Sequence, residues 1–143
     1  MYKRSVSPTE SNAFWLEQAG TLVWFKKPAQ ALESTWDTAK RIINHTWFAD
    51  GTLNAAVNCV DRHVGTVREN KVAILWQGEP EHDVVKLTYG DLHRLVCKFT
   101  NVLLSKGIKK GDRVIIYMPM IPEATEVTLA CARLGAIHSI VFG

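Results

Sequence analysis

The chain has 143 residues, of which 47% are hydrophobic and 22% charged, and its formal net charge at pH 7 is +3. This length and composition are typical of a globular chain that can bury a core. The small net charge, and the lack of aromatic residues in the basic stretch "SKGIKKGDR", argue against nucleic-acid binding. No stretch approaches the ~20 apolar residues that cross a bilayer, and the first 15 residues lack the apolar centre of a secretory signal. We therefore expect no membrane segment and no nucleic-acid partner.

The first third of the chain predicts a helical leader followed by an extended segment. In "SPTE", Ser7 suits an N-cap and Pro8 the first helical position, and the helix is expected to stop at Gly20. From Leu22 to His45 neither a helical nor an alternating pattern holds, although tryptophans are frequent. We predict that residues 1–50 form a leader and an extended wrap, not a domain of their own.

Regular hydrophobic patterns begin after Gly51. Apolar residues recur at helical spacing from Leu53 to Val64. The runs "VAILW" and "VVKLTY", separated by a polar turn, predict a β-hairpin. Thr88 and Asp91 then have the spacing of a capping box, at the start of a second amphipathic helix that Gly107 closes.

The last part of the chain reads as strand, helix, strand. The strand "RVIIYM" is followed by a helix from Pro122 to Gly135 and by the strand "AIHSIVF". Both strands are almost entirely apolar, which is typical of a parallel βαβ unit buried on both faces. The predicted fold class is α/β, with a parallel βαβ sheet layer, a short hairpin and an N-terminal helical wrap. Residues 51–143 form the αβ part.

Generic catalytic and metal-binding motifs are missing. Neither GxGxxG nor GxxxxGK[ST] occurs, and the histidines lack ligand spacing. His138 lies in an apolar strand and is predicted to be a core or sheet-end residue, and "DRH" at 61–63 reads as the charged last turn of a helix. Glu79, Glu81 and Asp83 share a turn, where we expect solvated carboxylates. We predict no catalytic and no metal-binding residue.

The three cysteines are predicted to be structural thiols. Cys59, Cys97 and Cys131 are widely spaced and odd in number, which excludes a disulfide framework or a zinc site and favours a reduced, cytoplasmic setting. Cys131 lies on the apolar stripe of its helix and should pack in the core. Cys97 lies beside the main stripe, where we expect a neighbouring segment to cover it. The loop before the helix that Pro122 begins carries Met118, Pro119 and Met120 rather than glycines, and proline has no N–H, so this helix end is not expected to bind a phosphate.

Three stretches of the chain resemble AMP-forming acetyl-coenzyme A synthetases. The stretch "YMPMIPEATEVTLACARLGAIHSIVFG" closely resembles the segment in which two parallel strands flank a helix in these enzymes. The stretches "WFADGTLNAAVNCVDRH" and "TESNAFWLEQAGTLVW" are similar to two earlier blocks of the same family, in the same order. The resemblance is to the short-chain acyl-CoA synthetase branch of the adenylate-forming enzymes, which includes propionyl-CoA synthetases.

The resemblance implies an activity for a longer protein. Such an enzyme joins acetate to ATP, with magnesium, and then transfers the acetyl group from the adenylate to coenzyme A in the cytoplasm. The phosphate loop, the adenine and ribose motifs, the hinge aspartate and the catalytic lysine of the family do not occur here. We therefore expect an inactive N-terminal fragment that binds none of these cofactors alone and works with the remainder of its own chain. Residues 51–143 are then the first, truncated part of the larger αβ adenylate-forming domain.

One site is implied by the resemblance. The family has a Phe-Gly-Gly at the end of this strand, against the adenine end of coenzyme A, and Phe142 and Gly143 match its first two members. An aromatic face and a residue without Cβ allow a flat base to approach the backbone. The alternative is that Phe142 only packs and Gly143 only turns. Two other functions remain open: a stand-alone, non-catalytic binding module with this fold, and a fragment of a propionyl-CoA synthetase.

Overall fold

The computed structural model describes the backbone of residues 8–142 and the side chains of residues 11–141. The chain folds into two compact units, Met1–Leu53 and Asn54–Gly143. The first unit contains helix α1 (Pro8–Ala19) and strands β1 (Leu32–Asp37) and β2 (Ile42–Trp47). The second contains α2 (Ala55–Cys59), a 3-10 turn (Asp61–His63), β3 (Val72–Gln77), β4 (Val84–Thr88), α3 (Tyr89–Ser105), β5 (Arg113–Met118), α4 (Pro122–Leu134) and β6 (Ile137–Phe142).

Helix α1 has the predicted bounds. It begins at Pro8, and the N–H of Gly20 bonds to the carbonyls of Leu16 and Glu17 at its end, both at 3.0 Å. The predicted capping role of Ser7 lies outside the described residues. Pro8 at the start and Gly20 at the end were sufficient to predict the bounds of this helix.

A β-hairpin occupies part of the segment for which no regular element was predicted. Strands β1 and β2 pair antiparallel from Leu32↔Trp47 to Asp37↔Ile42, and the Lys40 N–H donates to the Asp37 carboxylate in the turn at 3.0 Å. The prediction of an irregular extended segment is wrong here. Alternation of apolar and polar residues arises where one sheet face is buried, and every residue of β2 is exposed.

Three of the four tryptophans of the first unit form an aromatic cluster with Phe48 despite their irregular spacing. The Trp15 and Trp47 rings lie 5.6 Å apart edge to face, and Phe48 lies 5.7 Å from Trp24 and 6.0 Å from Trp47. The Trp24 indole N–H donates to the Ala19 carbonyl, 2.7 Å away. These contacts join helix α1, the hairpin and the following segment, and aromatic pairs of this geometry stabilise by about 0.5–1.5 kcal/mol beyond their burial.

The second unit confirms the predicted hairpin and capping box. Strands β3 and β4 pair antiparallel around the polar turn. At the start of α3, the Thr88 hydroxyl accepts a bond from the Asp91 N–H, and the Asp91 carboxylate accepts one from the Thr88 N–H. The Thr88 hydroxyl also donates to the Asp91 carboxylate at 2.7 Å, and this bond, followed by those from the Arg94 guanidinium and the Thr88 N–H, holds the pKa of Asp91 below its ordinary value. The reciprocal caps fix the direction in which α3 leaves the hairpin.

Helix α2 is shorter than the apolar repeat predicted. The repeat starts at Leu53, but the Asn54 side chain caps the helix, which therefore begins at Ala55. After Cys59 the chain tightens into the 3-10 turn at Asp61–His63. Val60, between the two, is fully buried, so the apolar spacing still brings the right side chain into the core.

Strands β5 and β6 and helix α4 form the predicted parallel βαβ unit. The strands pair in register from Arg113↔Ile137 to Met118↔Phe142. Helix α4 starts at Pro122 and ends at Gly135, whose φ of 73° is favoured by glycine. One core cluster lies between α4 and the sheet (Ile116, Val127, Cys131 and Ala136) and another where α2, α3 and α4 meet (Val60, Leu92, Val96 and Ala130).

Only one face of the β5–β6 sheet is buried within the described residues. Val114, Ile116 and Met118 face the core cluster with α4. On the other face Ile115 is 73% exposed and Tyr117 72% exposed. The prediction of burial on both faces is therefore wrong for this chain, although the apolar composition is the one that such burial requires. None of the helices described in residues 8–142 has the length and apolar content to cross a membrane.

Candidate functional site

The carboxyl ends of β5 and β6 lie at the same edge of the sheet, because the strands are parallel. Met118 ends β5 and is paired with Phe142, which ends β6. A short loop after Met118 leads into the first turn of helix α4 at Pro122. Ligands of open α/β sheets bind at this edge, outside the carboxyl ends of the strands.

A shallow cavity of about 230 Å³ opens at this edge. Its lining comes from the end of β5, the following loop, one face of α4 and β6: Met118, Pro119, Met120, Ile121, Ala124, Thr125, Thr128 and Ile140. The lining carries no charged side chain, and the Thr128 hydroxyl is already bonded to the Ala124 carbonyl at 2.7 Å. Such a surface suits a flat or apolar group and gives no counter-charge to a phosphate.

A hydrogen bond holds the loop beside this cavity in place. The Trp76 indole N–H, from strand β3, donates to the Met120 carbonyl at 2.6 Å. The Met120 side chain itself is 80% exposed. The backbone of the loop is therefore held by the β3–β4 hairpin, while the Met120 side chain is available for contact.

The two residues predicted for coenzyme A lie at the limit of what the structure describes. The backbone of Phe142 forms the last position of β6, at the edge just described. Its side chain and the whole of Gly143 lie outside the described residues. Their role stays a prediction.

Asn54 joins two helices that are distant in sequence. Its Oδ1 accepts bonds from the N–H groups of Ala56 and Val57, at 2.9 and 3.3 Å, which caps α2. Its Nδ2 donates to the carbonyls of Ala132 and Arg133, at 3.2 and 3.0 Å, in the last turn of α4. One amide thus accepts from two N–H groups at the start of one helix and donates to two carbonyls at the end of another.

Asp61 lies at the centre of a polar cluster that the sequence did not predict. Its Oδ1 accepts a hydrogen bond from Nη2 of Arg133 and lies 3.7 Å from Nε2 of His93. That imidazole nitrogen lies 3.6 Å from Sγ of Cys97, one helical turn on. Among the described residues Nε of Arg133 is the buried side-chain polar atom without a partner. "DRH" is thus more than a charged last turn, because Asp61 ties the 3-10 turn to α4.

His63 lies beside this cluster in a different environment. Its ring packs against that of Tyr89 at an interplanar angle of 58°, with the centroids 4.5 Å apart. Burial, followed by the positive charges of Arg68 and Arg62, lowers the pKa of His63, so the ring is held neutral at pH 7. This histidine packs and does not contribute charge.

The remaining polar candidates take the positions that the sequence indicates. His138 is half-buried in β6, and the carboxylates of Glu79, Glu81 and Asp83 are exposed in the β3–β4 turn. Within the part of the chain that the structure describes, no three His, Cys, Asp or Glu side chains are grouped so that they could hold a metal ion. The candidate site therefore consists of the apolar cavity at the sheet edge, and the polar contacts of Asn54 and Asp61 hold the surrounding elements together.

The three free thiols differ in exposure, which predicts their order of alkylation. Cys59 is exposed, Cys97 half-buried and Cys131 completely buried, and burial raises the pKa of the Cys131 thiol. Because the thiolate is the nucleophile, iodoacetamide at neutral pH should modify Cys59 first and Cys131 only after denaturation. Peptide mass spectrometry over time measures this order, with a denatured sample as control. Alkylation of Cys131 as fast as Cys59 in the native protein would show that the α4 core face is misplaced.

Family models match the whole length of the chain. Residues 1–59 match the model described as acetyl-coenzyme A synthetase N-terminus, and residues 60–143 match the AMP-binding enzyme model. The acetyl-coenzyme A synthetases of Shewanella oneidensis and Parvibaculum lavamentivorans are each 48% identical over all 143 residues, which correspond to 21% of their length. The chain thus spans about a fifth of the relatives that it matches.

A solved structure confirms the fold class. The acetoacetyl-CoA synthetase from Streptomyces lividans superposes with a TM-score of 0.77 and 28% identity, over 94% of this chain and 20% of that one. The predicted resemblance to acetyl-coenzyme A synthetases is also confirmed, by the sequence relatives and by the match of the first 59 residues. Because more than half of its residues match the family model, this chain belongs to the AMP-binding enzyme family.

Proposed function

We propose that this chain is the N-terminal part of an AMP-forming acetate–CoA ligase. The observation that carries the proposal is the 48% identity with acetyl-coenzyme A synthetases across every residue of the chain. The match to the N-terminal model of these enzymes supports the same assignment. The three free cysteines agree with a cytoplasmic location, where thiols stay reduced.

The proposed reaction has two steps. The acetate carboxylate attacks the α-phosphorus of ATP, and pyrophosphate leaves as acetyl-adenylate forms. The thiolate of coenzyme A then attacks the acyl carbonyl, and AMP leaves with the electrons of the broken C–O bond. Positioning and charge stabilisation of the phosphates supply most of the acceleration in chemistry of this kind.

The residues of this chain would contribute to coenzyme A binding. The backbone of Phe142 ends β6 at the cavity edge of the sheet, and we assign Phe142 and the next residue in sequence, Gly143, to the adenine end of coenzyme A. The neighbouring lining, which includes Met118, Met120 and Ile140, is apolar and would accept a base but not a phosphate. The described residues do not fit a metal centre, so the magnesium ion that accompanies ATP is not assigned to them.

The exposed face of the β5–β6 sheet supports a longer protein over a stand-alone binding module. Ile115, Tyr117, Ile137 and Val141 are between 43% and 73% exposed on these two adjacent strands. Contiguous apolar surface of this kind ordinarily marks a contact with other protein. The partner that we propose is the remainder of the same polypeptide.

An exchange assay tests the proposed function. The chain alone should give acetate-dependent exchange between pyrophosphate and ATP at the level of a blank without protein, because it lacks groups that hold phosphates. A full-length protein that carries these residues should show the exchange. Exchange by the purified chain would contradict the assignment of the chemistry to other parts of the enzyme, and a full-length protein without it would contradict the function.

The same full-length protein tests the choice of acid. One methylene in a pocket changes kcat/KM by roughly 10- to 200-fold, so acetate should be preferred over propionate by a factor in that range. Release of AMP in the presence of coenzyme A measures both substrates under identical conditions. Equal or better use of propionate would favour a propionyl-CoA synthetase instead.

A further inference from the structure

A second and larger cavity, of about 590 Å³, lies within the second unit. Residues of the β3–β4 hairpin, of α3 and of the start of α4 line it. Its walls are mostly apolar and include Trp76, Leu87, Leu95 and Phe99. The cavity is open to solvent on one side, and its lining combines apolar walls with a few polar groups, as small-molecule sites do. We refer to it as the Glu126 cavity.

Glu126 is the unusual residue of this cavity. It is only 5% exposed, although it is a carboxylic acid, and it lines the cavity from helix α4. No hydrogen bond or ion pair reaches its carboxyl group from the residues that the structure describes. The Glu126 oxygens are not among the fully enclosed polar atoms without a partner, so they are open to the cavity and can accept a hydrogen bond from a donor that enters it.

The charges around the cavity favour a cation. Glu123 lies one turn before Glu126, and Lys98 also lines the cavity. Lys98 is exposed and forms no ion pair within 4.0 Å of either carboxylate. Burial raises the pKa of Glu126 and the charge of Glu123 adds to that effect, as expected for two carboxylates without enough counter-charge.

The aromatic wall of the cavity is fixed in position. The bond from the Trp76 indole N–H to the Met120 carbonyl, 2.6 Å long, holds the ring in the orientation in which it lines the cavity. A fixed indole face can pack against an apolar body and can also attract a neighbouring cation. The cavity therefore does not need to be rebuilt when a ligand enters.

We propose that the Glu126 cavity binds a small organic cation, an ammonium or guanidinium group carried on an apolar or aromatic body. The cationic group would donate to the Glu126 carboxylate while the body packs between Trp76 and Phe99. This site goes beyond the proposed ligase reaction, because acetate, ATP and coenzyme A are all anions that two carboxylates would repel.

Phenethylammonium is the probe for this site. Titration into the protein should shift the Trp76 indole N–H resonance in a saturable way, and Trp76→Phe identifies that resonance among the five indole signals. Phenethyl alcohol has the same body without the charge, and phenylacetate reverses the charge. We expect the alcohol to bind about tenfold more weakly, since a hydrogen bond to a charged group is lost. Equal binding of amine and alcohol, or no saturable shift, would overturn the proposal.

Three variants assign the effect to Glu126. Glu126→Gln should weaken phenethylammonium by about tenfold and leave phenethyl alcohol unchanged. Glu123→Gln, the matched change at an exposed acid, should weaken the amine by less than about threefold. Lys98→Met should tighten the amine, because a competing cation is removed. A full response in Glu126→Gln would contradict the proposal.

Two further outcomes keep the test decisive. Glu126→Gln removes a largely buried charge with little change of shape, so it should not lower the urea midpoint of unfolding. If this variant does not fold, the ligand series on the unaltered protein and the Lys98→Met variant decide whether the cavity binds a cation. An acetylated Leu-Arg-Leu amide that saturates the Trp76 shift where phenethylammonium does not would assign the cavity to a polypeptide segment and overturn the small-molecule proposal.

Discussion

Asn54→Ala is expected to lower the free energy of unfolding by about 2–4 kcal/mol. Loss of the N-cap of α2 costs about 1 kcal/mol, and each of the two bonds to the α4 carbonyls contributes about 0.5–1.5 kcal/mol. The effect is large for a polar residue because one side chain serves two helix ends. Urea denaturation followed by far-ultraviolet circular dichroism measures it.

Two related changes separate the halves of this bridge. Asn54→Ser retains a cap for α2 but cannot reach the α4 carbonyls, so it should lose only the stability that the two bonds to α4 contribute. Asn54→Asp retains the cap but places a negative charge at the carbonyl end of α4, which already carries the negative end of the helix dipole. We expect Asn54→Asp to be less stable than Asn54→Ser at pH 7.

The matched control is Asn101→Ala, at an exposed position of α3. Alanine is the better helix former there, so stability should stay the same or rise slightly. If Asn54→Ala costs no more than Asn101→Ala, the amide does not join the two helices in solution.

Elements with local signals could be predicted from the sequence. Thr88 and Asp91 are three residues apart, and Pro122 and Gly135 mark the two ends of one helix, so the interactions that place α3 and α4 are visible within a few residues. The parallel pairing of β5 and β6 followed from their apolar composition and the helix between them.

What could not be predicted depends on partners far along the chain. Asp61 and Arg133 are 72 residues apart, and Asn54 reaches carbonyls 78 and 79 residues away. A single sequence carries no signal for such pairs. The β1–β2 hairpin was missed for a different reason, since exposed strands need no apolar alternation, and in Trp36 even a large aromatic is 68% exposed.

The exposed face of the β5–β6 sheet has the apolar composition of a buried surface, although the described residues do not cover it. Ile115 is the same residue type as the buried Ile116 beside it, yet only the alternate side chains of β5 contact α4. The apolar composition of these strands therefore indicates a sheet that is buried on both faces, and the described residues cover one of them. Under the proposed function, the remainder of the synthetase covers the other face.

Phe142→Ala, in a full-length synthetase that carries this sequence, is expected to weaken coenzyme A by about 1–3 kcal/mol, or roughly 5- to 150-fold. This magnitude is that of a base stacked on an aromatic side chain. The position supports the expectation, because Phe142 ends β6 at the edge where the apolar cavity opens. The KM for coenzyme A in the complete reaction measures the loss.

The same variant should leave acetate-dependent exchange between pyrophosphate and ATP nearly unchanged, since adenylation precedes the attack of coenzyme A. Phe142→Tyr retains the aromatic face and should remain within about threefold of the parent, because a stacked ring contributes mainly through its face. Phe25→Ala, a matched deletion at a side chain that is 69% exposed, should affect neither half-reaction. If Phe142→Ala instead reduces both half-reactions equally, the ring supports the strand by packing, and the assignment of this edge to coenzyme A is wrong.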